Sequence, residues 1–349
     1  MTTSTTVQTA RVATLVAPRK LEVFDQELPS VGAGDVLLAT LYSGISAGTE
    51  MNVYRGSAAL WRTRRDPENG LFEPTDEPEW TYPMAYGYAA VSRVAQRGEA
   101  VANVNVGDLV FSYTPHSSAA VVPADSVVPL PALENPRRGV LNANLNTAYN
   151  GILDAHPNFG DVVVVSGLGV IGLIQVQLLK RLGARVIGVD GVAERRALAE
   201  QFGAEVTFEP GAHVAREVRA LTGNRGADIV IEVSGASAAL NEAIRIAGYN
   251  GTVIAMSWYG GSFENLSLVG EFHHNRPRVI SSQVGGLSPD LGPLWSMQRR
   301  QDVVSQLMQD LDLDLLITHE RPIEDAAAAY EIVDSRPNDL VQFILTYNN

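Results

Sequence analysis

The amino-acid sequence predicts an α/β fold in which a β-rich domain is joined to a domain built on a doubly wound parallel sheet. Strand patterns dominate residues 10–131, and strands alternate with helical patterns over residues 162–283. A glycine-rich turn joins the first of these later strands to the first helix. The 349 residues are enough for two domains with separate cores.

The composition limits the classes of protein to which the chain can belong. Hydrophobic residues make up 46% and charged residues 19%, which is typical of a soluble enzyme. The formal net charge of −13 argues against nucleic acid or an anionic membrane as a partner. No apolar run approaches the ~20 residues that cross a bilayer, and the N-terminus is polar, so a cytoplasmic location is expected. The chain has no cysteine, which excludes disulfides, thiol nucleophiles and thiolate metal ligands.

Residues 52–82 differ in composition from the predicted strands on either side of them. The segment is rich in proline, arginine and acidic residues, and it is predicted to be a long loop with a helical turn. Trp61 and Trp80 give it apolar surface to bury, so we expect it to cover the substrate. A helical pattern over residues 139–152 closes the β-rich part of the chain.

The glycine-rich turn of residues 166–172, Ser-Gly-Leu-Gly-Val-Ile-Gly, follows an apolar strand pattern and opens a helix. Gly167 permits a tight turn, Gly169 lets the backbone approach a pyrophosphate, and Gly172 lets the helix pack closely on the strand. The N-terminus of that helix offers N–H groups and a partial positive charge to phosphate oxygens. This arrangement is typical of dinucleotide binding. The expected contacts of the pyrophosphate are Gly167, Gly169, Val170, Ile171 and Gly172.

Asp190 ends the next strand pattern, near the spacing of about 20 residues that dinucleotide-binding proteins show between the turn and an acidic residue. Its carboxylate can accept hydrogen bonds from the adenosine ribose and would repel a 2′-phosphate, which favours NAD over NADP. Arg195 and Arg196 follow Asp190 and could offset this repulsion, so NADP stays an alternative.

The carboxyl ends of the later strands should also face the cofactor, because ligands bind at that edge of open α/β sheets. The alternative is that the serines there cap helices. The residues concerned are Ser234, Ser257, Trp258 and Gln283, together with Ser282.

The order of these segments resembles the medium-chain dehydrogenase/reductase superfamily. The stretches that carry the resemblance include SGISAGTE (43–50), YPMAYGYAAVSRV (82–94), NTAYNGI (146–152) and SGLGVIG (166–172). Within the superfamily, the first two are most similar to the branch that contains bacteriochlorophyllide a dehydrogenase.

The resemblance implies a GroES-like catalytic domain, formed by residues 1–147 and 289–349, and a Rossmann dinucleotide-binding domain of residues 148–288. It also implies an active site in the cleft between them and a homodimer formed through the edge of the nucleotide-domain sheet. Thr147 matches a position that contacts the nicotinamide side.

The chain departs from the zinc-dependent members of the superfamily at the positions of the catalytic metal ligands. It has Ala47 where they have cysteine, Tyr88 and Ala89 where they have His-Glu, and an asparagine around Asn144 at the third ligand. The cysteine loop of the structural zinc is missing too. Because zinc needs imidazole, thiolate or carboxylate ligands in a tetrahedral array, the sequence predicts an enzyme without zinc.

Without a metal, hydrogen-bond donors must stabilise charge on the substrate oxygen. Thr49 matches the proton-relay hydroxyl of the superfamily, or it caps a helix. Tyr88 could donate to the substrate oxygen, or it fills the space of the metal. Glu50 could be a base or the partner of an arginine, and a structural role is favoured. His116 is the best general acid/base by its titration range, unless it is a surface residue.

Three functions remain open. The first is a zinc-independent, NAD-dependent alcohol dehydrogenase or ketone reductase that acts on a specialised substrate such as a secondary metabolite. The second is an NADPH-dependent reductase of an activated C=C bond, as in quinone or enoyl reductases, and Asp190 speaks against it. The third is a nucleotide-binding sensor that has lost catalysis, and Thr49 and Tyr88 speak against it.

Overall fold

The computed structural model describes residues 9–57, 61–77, 80–259 and 266–348. Its contacts divide the chain into two compact units, the first of Met1–Asn142 with Ile317–Asn349 and the second of Ala143–Leu316. The boundaries expected from the sequence lie after residue 147 and before residue 289. The second unit thus includes residues 143–147 and 289–316 as well, and within it Arg300 hydrogen-bonds to Asn146 and Asn150.

The first unit is β-rich. Its elements are β1 (Thr9–Ala17), β2 (Lys20–Glu27), β3 (Asp35–Ile45), α1 (Thr49–Tyr54), β4 (Thr63–Arg65), β5 (Phe72–Pro74), β6 (Met84–Ala85), β7 (Ala90–Arg97), β8 (Leu109–Ser112), β9 (Ala119–Pro123), β10 (Val128–Pro129), β17 (Ile317–Pro322), α9 (Ala326–Ser335) and β18 (Gln342–Thr346). The main sheet has the order β10-β8-β7-β3-β18-β17, with β9 also paired to β3, and a smaller sheet has the order β2-β1-β6. The C-terminal strand β18 thus lies inside the main sheet, between β3 and β17.

The core of the first unit forms between α1, α9 and the inner faces of these strands. Its largest buried side chains include Met51, Tyr330 and Phe343. Trp61 and Trp80, from the segment predicted to be a loop, pack against this core. That segment contains the end of α1 and the β4–β5 hairpin, so it has more regular structure than the sequence predicted.

The second unit is a parallel sheet with crossover helices. Its elements are α2 (Asn142–Ala155), β11 (Val162–Ser166), α3 (Val170–Arg181), β12 (Arg185–Val189), α4 (Ala193–Gln201), β13 (Val206–Phe208), α5 (Val214–Leu221), β14 (Ala227–Glu232), α6 (Ser237–Ile246), β15 (Ala247–Ala255), α7 (Glu271–Asn275), β16 (Arg278–Ser281) and α8 (Met297–Asp310). The strand order is β13-β12-β11-β14-β15-β16, and every pairing is parallel. This is the order of a dinucleotide-binding sheet, with its switch point between β11 and β14.

The fold class that the sequence predicts is confirmed: a β-rich unit and a Rossmann-like parallel-sheet unit. The central strand β11 is buried along its whole length, as its unbroken apolar run requires. Strand β15 starts earlier than expected, at Ala247, which pairs with Ala227 of β14 across a register irregularity from the rest of the ladder. Within the described residues, no helix has both the length and the apolar character needed to cross a membrane.

Candidate functional site

The glycine turn has the geometry that the sequence predicts. Gly167 has φ +103°, and a Cβ there would lie 2.7 Å from the backbone nitrogen of Ser234. A Cβ on Gly172 would collide with the carbonyl oxygen of Gly167. A Cβ on Gly169 would meet no protein atom within 4 Å, so the space beside it is open to a ligand. The turn therefore fits a pyrophosphate at the end of β11.

Helix α3 begins at Val170, directly after the turn, and its N-cap residue is Gly169. Glycine has no side chain to cap the helix, so the N–H groups of Val170 and Ile171 point out of its first turn. The helix is 12 residues long, and its N-terminus carries the partial positive charge that favours phosphate.

Asp190 contacts the glycine turn directly. Its Oδ2 accepts a hydrogen bond from the backbone N–H of Leu168 at 2.7 Å, and its Oδ1 accepts one from Val192 at 2.8 Å. A carboxylate has lone pairs for about four hydrogen bonds, so ribose hydroxyls can still bind. Arg196 donates to the carbonyl oxygen of Asp190 at 2.8 Å and pairs with Glu209. Arg195 lies beside it in the first turn of α4.

Ser234 lies where expected, just past the end of β14. Its N–H and hydroxyl both donate to Oε1 of Glu232, at 2.8 and 2.5 Å, and Tyr259 donates to Oε2 of the same carboxylate. Glu232 is fully buried, and the sequence analysis missed it because it reads as the last residue of a strand. Burial, and then the charge of Glu232, raises the pKa of Tyr259, which stays a neutral donor. Ser257 also hydrogen-bonds to Tyr259, whereas Trp258 is 42% exposed.

Two further cofactor candidates lie on other segments of the second unit. Thr147, in α2, donates its hydroxyl to the carbonyl oxygen of Ala143 at 3.0 Å. Gln283 follows β16 and is exposed, and its Oε1 accepts the N–H of Gly285 at 2.5 Å.

In the first unit, the structure brings the predicted hydroxyl residues Thr49 and Tyr88 together. Helix α1 begins at Thr49, whose N–H donates to Oγ of Ser46 at 3.3 Å. The hydroxyl of Tyr88 hydrogen-bonds to Ser46 and Thr49. Burial, and then the negative charge of Glu50, raises the pKa of Tyr88 above the ordinary tyrosine value, although these hydrogen bonds act in the opposite direction. Ser46 was not among the residues that the sequence analysis selected.

Glu50 and His116 lie in the interior of the first unit, and each is 0% exposed. Oε2 of Glu50 lies 2.9 Å from Nε2 of His116 and accepts the hydroxyl of Tyr330 at 2.6 Å, while Oε1 accepts the N–H of Ser46 at 3.0 Å. Nδ1 of His116 lies 2.7 Å from Oγ of Ser43. His116 is therefore not a surface residue, and the partners of Glu50 are a histidine, a tyrosine and a backbone N–H where the sequence allowed an arginine.

Comparison with known proteins identifies the family. The family described as "Zinc-binding dehydrogenase" matches residues 170–298. The D-guloside 3-dehydrogenase of Escherichia coli (strain K12) is 30% identical over 344 residues, which cover 95% of this chain and 98% of that protein. The chain belongs to the medium-chain zinc-binding-type dehydrogenase superfamily.

Solved structures of medium-chain dehydrogenases share this fold. The 2R,3R-butanediol dehydrogenase of Bacillus subtilis has a TM-score of 0.79 at 21% identity, covering 97% of this chain and 100% of that one. A Sinorhizobium meliloti protein bound to NADP has a TM-score of 0.76 at 20% identity, covering 97% and 99%. Together with the sequence relatives, which include the L-threonine 3-dehydrogenase of Pyrococcus horikoshii, this makes the protein an oxidoreductase of the medium-chain dehydrogenase family.

The positions that hold catalytic zinc in zinc-dependent superfamily members carry few of the donors that zinc prefers. Ala47 and Ala89 carry no donor, and Tyr88 is a neutral phenol engaged with Ser46 and Thr49. Among the described residues, no group of three or more histidine, aspartate or glutamate side chains could hold a metal ion. Glu50 and His116 are of the right chemical type, but they bind each other in the interior.

Proposed function

We propose that this protein transfers a hydride between NAD and an alcohol or ketone carbon of a specialised substrate, without zinc. One observation carries the proposal. The Tyr88 hydroxyl lies in a cluster with Ser46 and Thr49, at the sequence position where zinc-dependent relatives have a metal-binding histidine. The protein thus offers hydrogen-bond donors where those relatives offer a Lewis acid.

The proposed chemistry divides between the cofactor and the hydroxyl cluster. When bound, NAD supplies the carbon that accepts or donates the hydride. The raised pKa of Tyr88 keeps its hydroxyl protonated, so it donates a hydrogen bond to a substrate carbonyl or alkoxide oxygen. Thr49 hydrogen-bonds to that hydroxyl, so the proton that leaves the alcohol oxygen on oxidation passes through Tyr88 and Thr49 to water, and it returns along the same path on reduction. Glu50 fixes the backbone of Ser46, and His116 fixes Glu50, so both act by holding the cluster in place.

The preference for NAD over NADP rests on Asp190. Its carboxylate lies against the glycine turn, where it would meet the adenosine ribose and repel a 2′-phosphate. Arg196 is engaged by Glu209 and by the carbonyl oxygen of Asp190, which reduces its ability to neutralise a phosphate. Because the similar Sinorhizobium meliloti structure is bound to NADP, the affinities for both NADH and NADPH should be measured.

The substrate that we propose is a secondary alcohol on a ring or a similarly rigid framework. Trp61 stacks on Tyr82 at 4.6 Å, Trp80 meets Tyr86 at 5.5 Å, and Tyr86 meets Tyr88 at 6.5 Å. This run of aromatic rings leads from the 52–82 segment to the hydroxyl cluster, and such rings bind flat or apolar faces. D-gulosides are natural starting points for a screen, because they carry secondary alcohols on a ring and a similar protein is named for them. Because of the resemblance to the bacteriochlorophyllide a dehydrogenase branch, the screen should also include secondary-metabolite alcohols.

We also propose a homodimer formed through β16. This strand is the edge of the parallel sheet, and most of its residues are exposed. An open strand edge offers unpaired backbone groups to a second copy. Sedimentation analysis should show a dimer, and a monomer at all concentrations would contradict this proposal.

Metal analysis combined with an activity screen tests the proposed function. We expect no stoichiometric zinc, and NAD-linked turnover that survives dialysis against a chelator. A protein of known zinc content, treated in parallel, would show whether the dialysis strips bound metal. One zinc per chain, with activity lost on chelation and restored by zinc, would contradict the proposal. Turnover of enones with NADPH alone would instead support a C=C reductase.

A further inference from the structure

Arg300, in the first turn of α8, is a charged side chain buried inside the second unit, with 3% exposure. Its Nε donates to Oδ1 of Asn146 at 3.3 Å, and its Nη1 donates to Oδ1 of Asn150 at 2.6 Å. These asparagines lie one turn apart on the same face of α2. The guanidinium therefore holds α2 against the start of α8.

The same guanidinium also binds the segment that follows β16. Nη2 donates to the carbonyl oxygen of Val284 at 2.8 Å, and Nη1 donates to that of Gly286 at 3.4 Å. Asn150 adds a second link, because its Nδ2 donates to Oγ of Ser282 at 3.2 Å. Residues 282–286 lie at the carboxyl end of the last strand, which is the edge of the sheet where a dinucleotide binds.

A buried guanidinium is costly, so its contacts must compensate for the lost hydration. Arginine has five N–H donors in a rigid fork, and here that fork reaches acceptors on α2 and on residues 282–286 at once. Gly285 and Gly286 give the second segment much conformational freedom. Hydrogen bonds to the carbonyl groups of Val284 and Gly286 restrict that freedom.

We propose that Arg300 is a positioning residue for the nicotinamide half of the cofactor, an inference that rests on the proposed NAD-dependent function. Arg300 does not contact the cofactor itself; it positions the two residues that lie next in sequence to its hydrogen-bond partners. Thr147 follows Asn146 in α2, and Gln283 precedes Val284. The resemblance places Thr147 on the nicotinamide side, and Gln283 is a cofactor candidate at the carboxyl end of β16. Arg300 fixes the distance between the two segments that carry them.

The test compares two ligands that share the adenosine diphosphate ribose portion. NADH carries the nicotinamide ring, whereas ADP-ribose lacks it. For Arg300→Lys, which keeps the charge but cannot reach all the acceptors, we expect NADH affinity to fall about tenfold. Its affinity for ADP-ribose should match that of the wild type. A general loss of structure would instead weaken both ligands together.

Arg299→Lys is the matched control. Arg299 is the preceding residue, is exposed, and stacks on Trp295 at 4.3 Å, so its replacement should leave both affinities unchanged. Asn146→Ala is a milder second variant, because Arg300 loses one acceptor, at 3.3 Å, and keeps the other three. It also removes the hydrogen bond from Nδ2 of Asn146 to Gln301, and it should give a smaller loss that is again confined to NADH. In a double-mutant cycle, Gln283→Ala should lower NADH affinity less in the Arg300→Lys background than it does in the wild type.

The outcomes separate this inference from the proposed function. If the wild type binds neither NADH nor NADPH, the proposed function fails. If the wild type binds NADH, and Arg300→Lys and Asn146→Ala bind it equally well, or lose NADH and ADP-ribose in parallel, the positioning role is wrong.

Discussion

Glu50 and His116 meet in the interior of the first unit, with Oε2 of the carboxylate 2.9 Å from Nε2 of the imidazole and no exposed surface on either side chain. Tyr330 shares the same carboxylate oxygen. The network connects α1, which carries the hydroxyl of Thr49, to α9 at the other end of the chain. A buried polar network of this kind stabilises one arrangement of its elements only while every member is satisfied.

Glu50→Gln should therefore destabilise the protein. The substitution keeps the size of the side chain but replaces an acceptor oxygen with a donor amide, which leaves a buried donor unsatisfied. We expect the free energy of unfolding to fall by about 1–3 kcal/mol in urea denaturation. Glu22→Gln, at the surface pair with Lys20, is the control and should change it by less than about 0.5 kcal/mol. Equal stability of Glu50→Gln and wild type would show that the network contributes nothing.

Tyr88→Phe tests the replacement of zinc by hydroxyl groups. Removing a hydrogen-bond donor to a developing alkoxide typically lowers kcat by about a hundredfold or more, and we expect that loss here. The affinity for NADH should not change, because the residue belongs to the first unit and not to the nucleotide-binding sheet. Tyr249→Phe, at an exposed position, serves as the control. Wild-type kcat in Tyr88→Phe would remove this residue from the chemistry.

Asp190→Ser should relax the choice of cofactor. The variant loses the charge that repels a 2′-phosphate and the acceptor for the ribose hydroxyls. The ratio of the dissociation constants for NADPH and NADH should fall about tenfold or more in fluorescence titrations. Glu209→Gln, which alters the partner of Arg196 but not the carboxylate on the turn, separates the two effects. An unchanged ratio in Asp190→Ser would mean that its carboxylate does not meet the ribose.

Stability should fall in alkaline solution because of the buried tyrosines of the first unit. Burial raises the pKa of Tyr88, Tyr330 and Tyr347 above their ordinary value of 10.0. Above about pH 10 the unfolded chain therefore loses protons that the folded chain retains, so the free energy of unfolding falls as pH rises. Below that pH the contribution is fully present. The pKa of Tyr54 and Tyr86 in the same unit is raised by burial too, so these residues contribute in the same direction.

Urea denaturation at a series of pH values would measure this effect. Tyr330→Phe, which removes one of these tyrosine hydroxyls, should lose less stability between about pH 9 and about pH 11 than the wild type does. Stability that stays constant over that range would contradict the assignment of these pKa values.

The sequence predicted those features that depend on neighbouring residues. The glycine turn, the helix after it and Asp190 lie within one strand–helix–strand unit, and their geometry follows from local steric and packing rules. The alternation of apolar runs and helical patterns was enough to predict the order of strands and helices along the chain in the second unit. The five-residue helix α7 was missed, because so short a helix has no clear periodicity.

The hydrogen-bond partners of the site residues were not predictable in the same way. Glu50 and Tyr330 are 280 positions apart, and Arg300 and Asn150 are 150 apart. Residues so far apart in the sequence become hydrogen-bond partners only through the tertiary fold. His116 illustrates the consequence: its loop and its titration range were visible in the sequence, whereas its complete burial against Glu50 was not.

The central claim is that the glycine turn and Asp190 form an NAD site. Titration of the protein with NADH and, separately, with NADPH, followed by fluorescence, tests it most directly, alongside Gly169→Val and the control Gly34→Val. A Cβ meets no protein atom within 4 Å at either glycine, so neither substitution creates a clash inside the protein, whereas only Gly169 lies where we place the pyrophosphate. We predict that NADH binds more tightly than NADPH, that Gly169→Val abolishes binding and that Gly34→Val does not. Normal NADH affinity in Gly169→Val, or no binding of either cofactor to the wild type, would contradict the account.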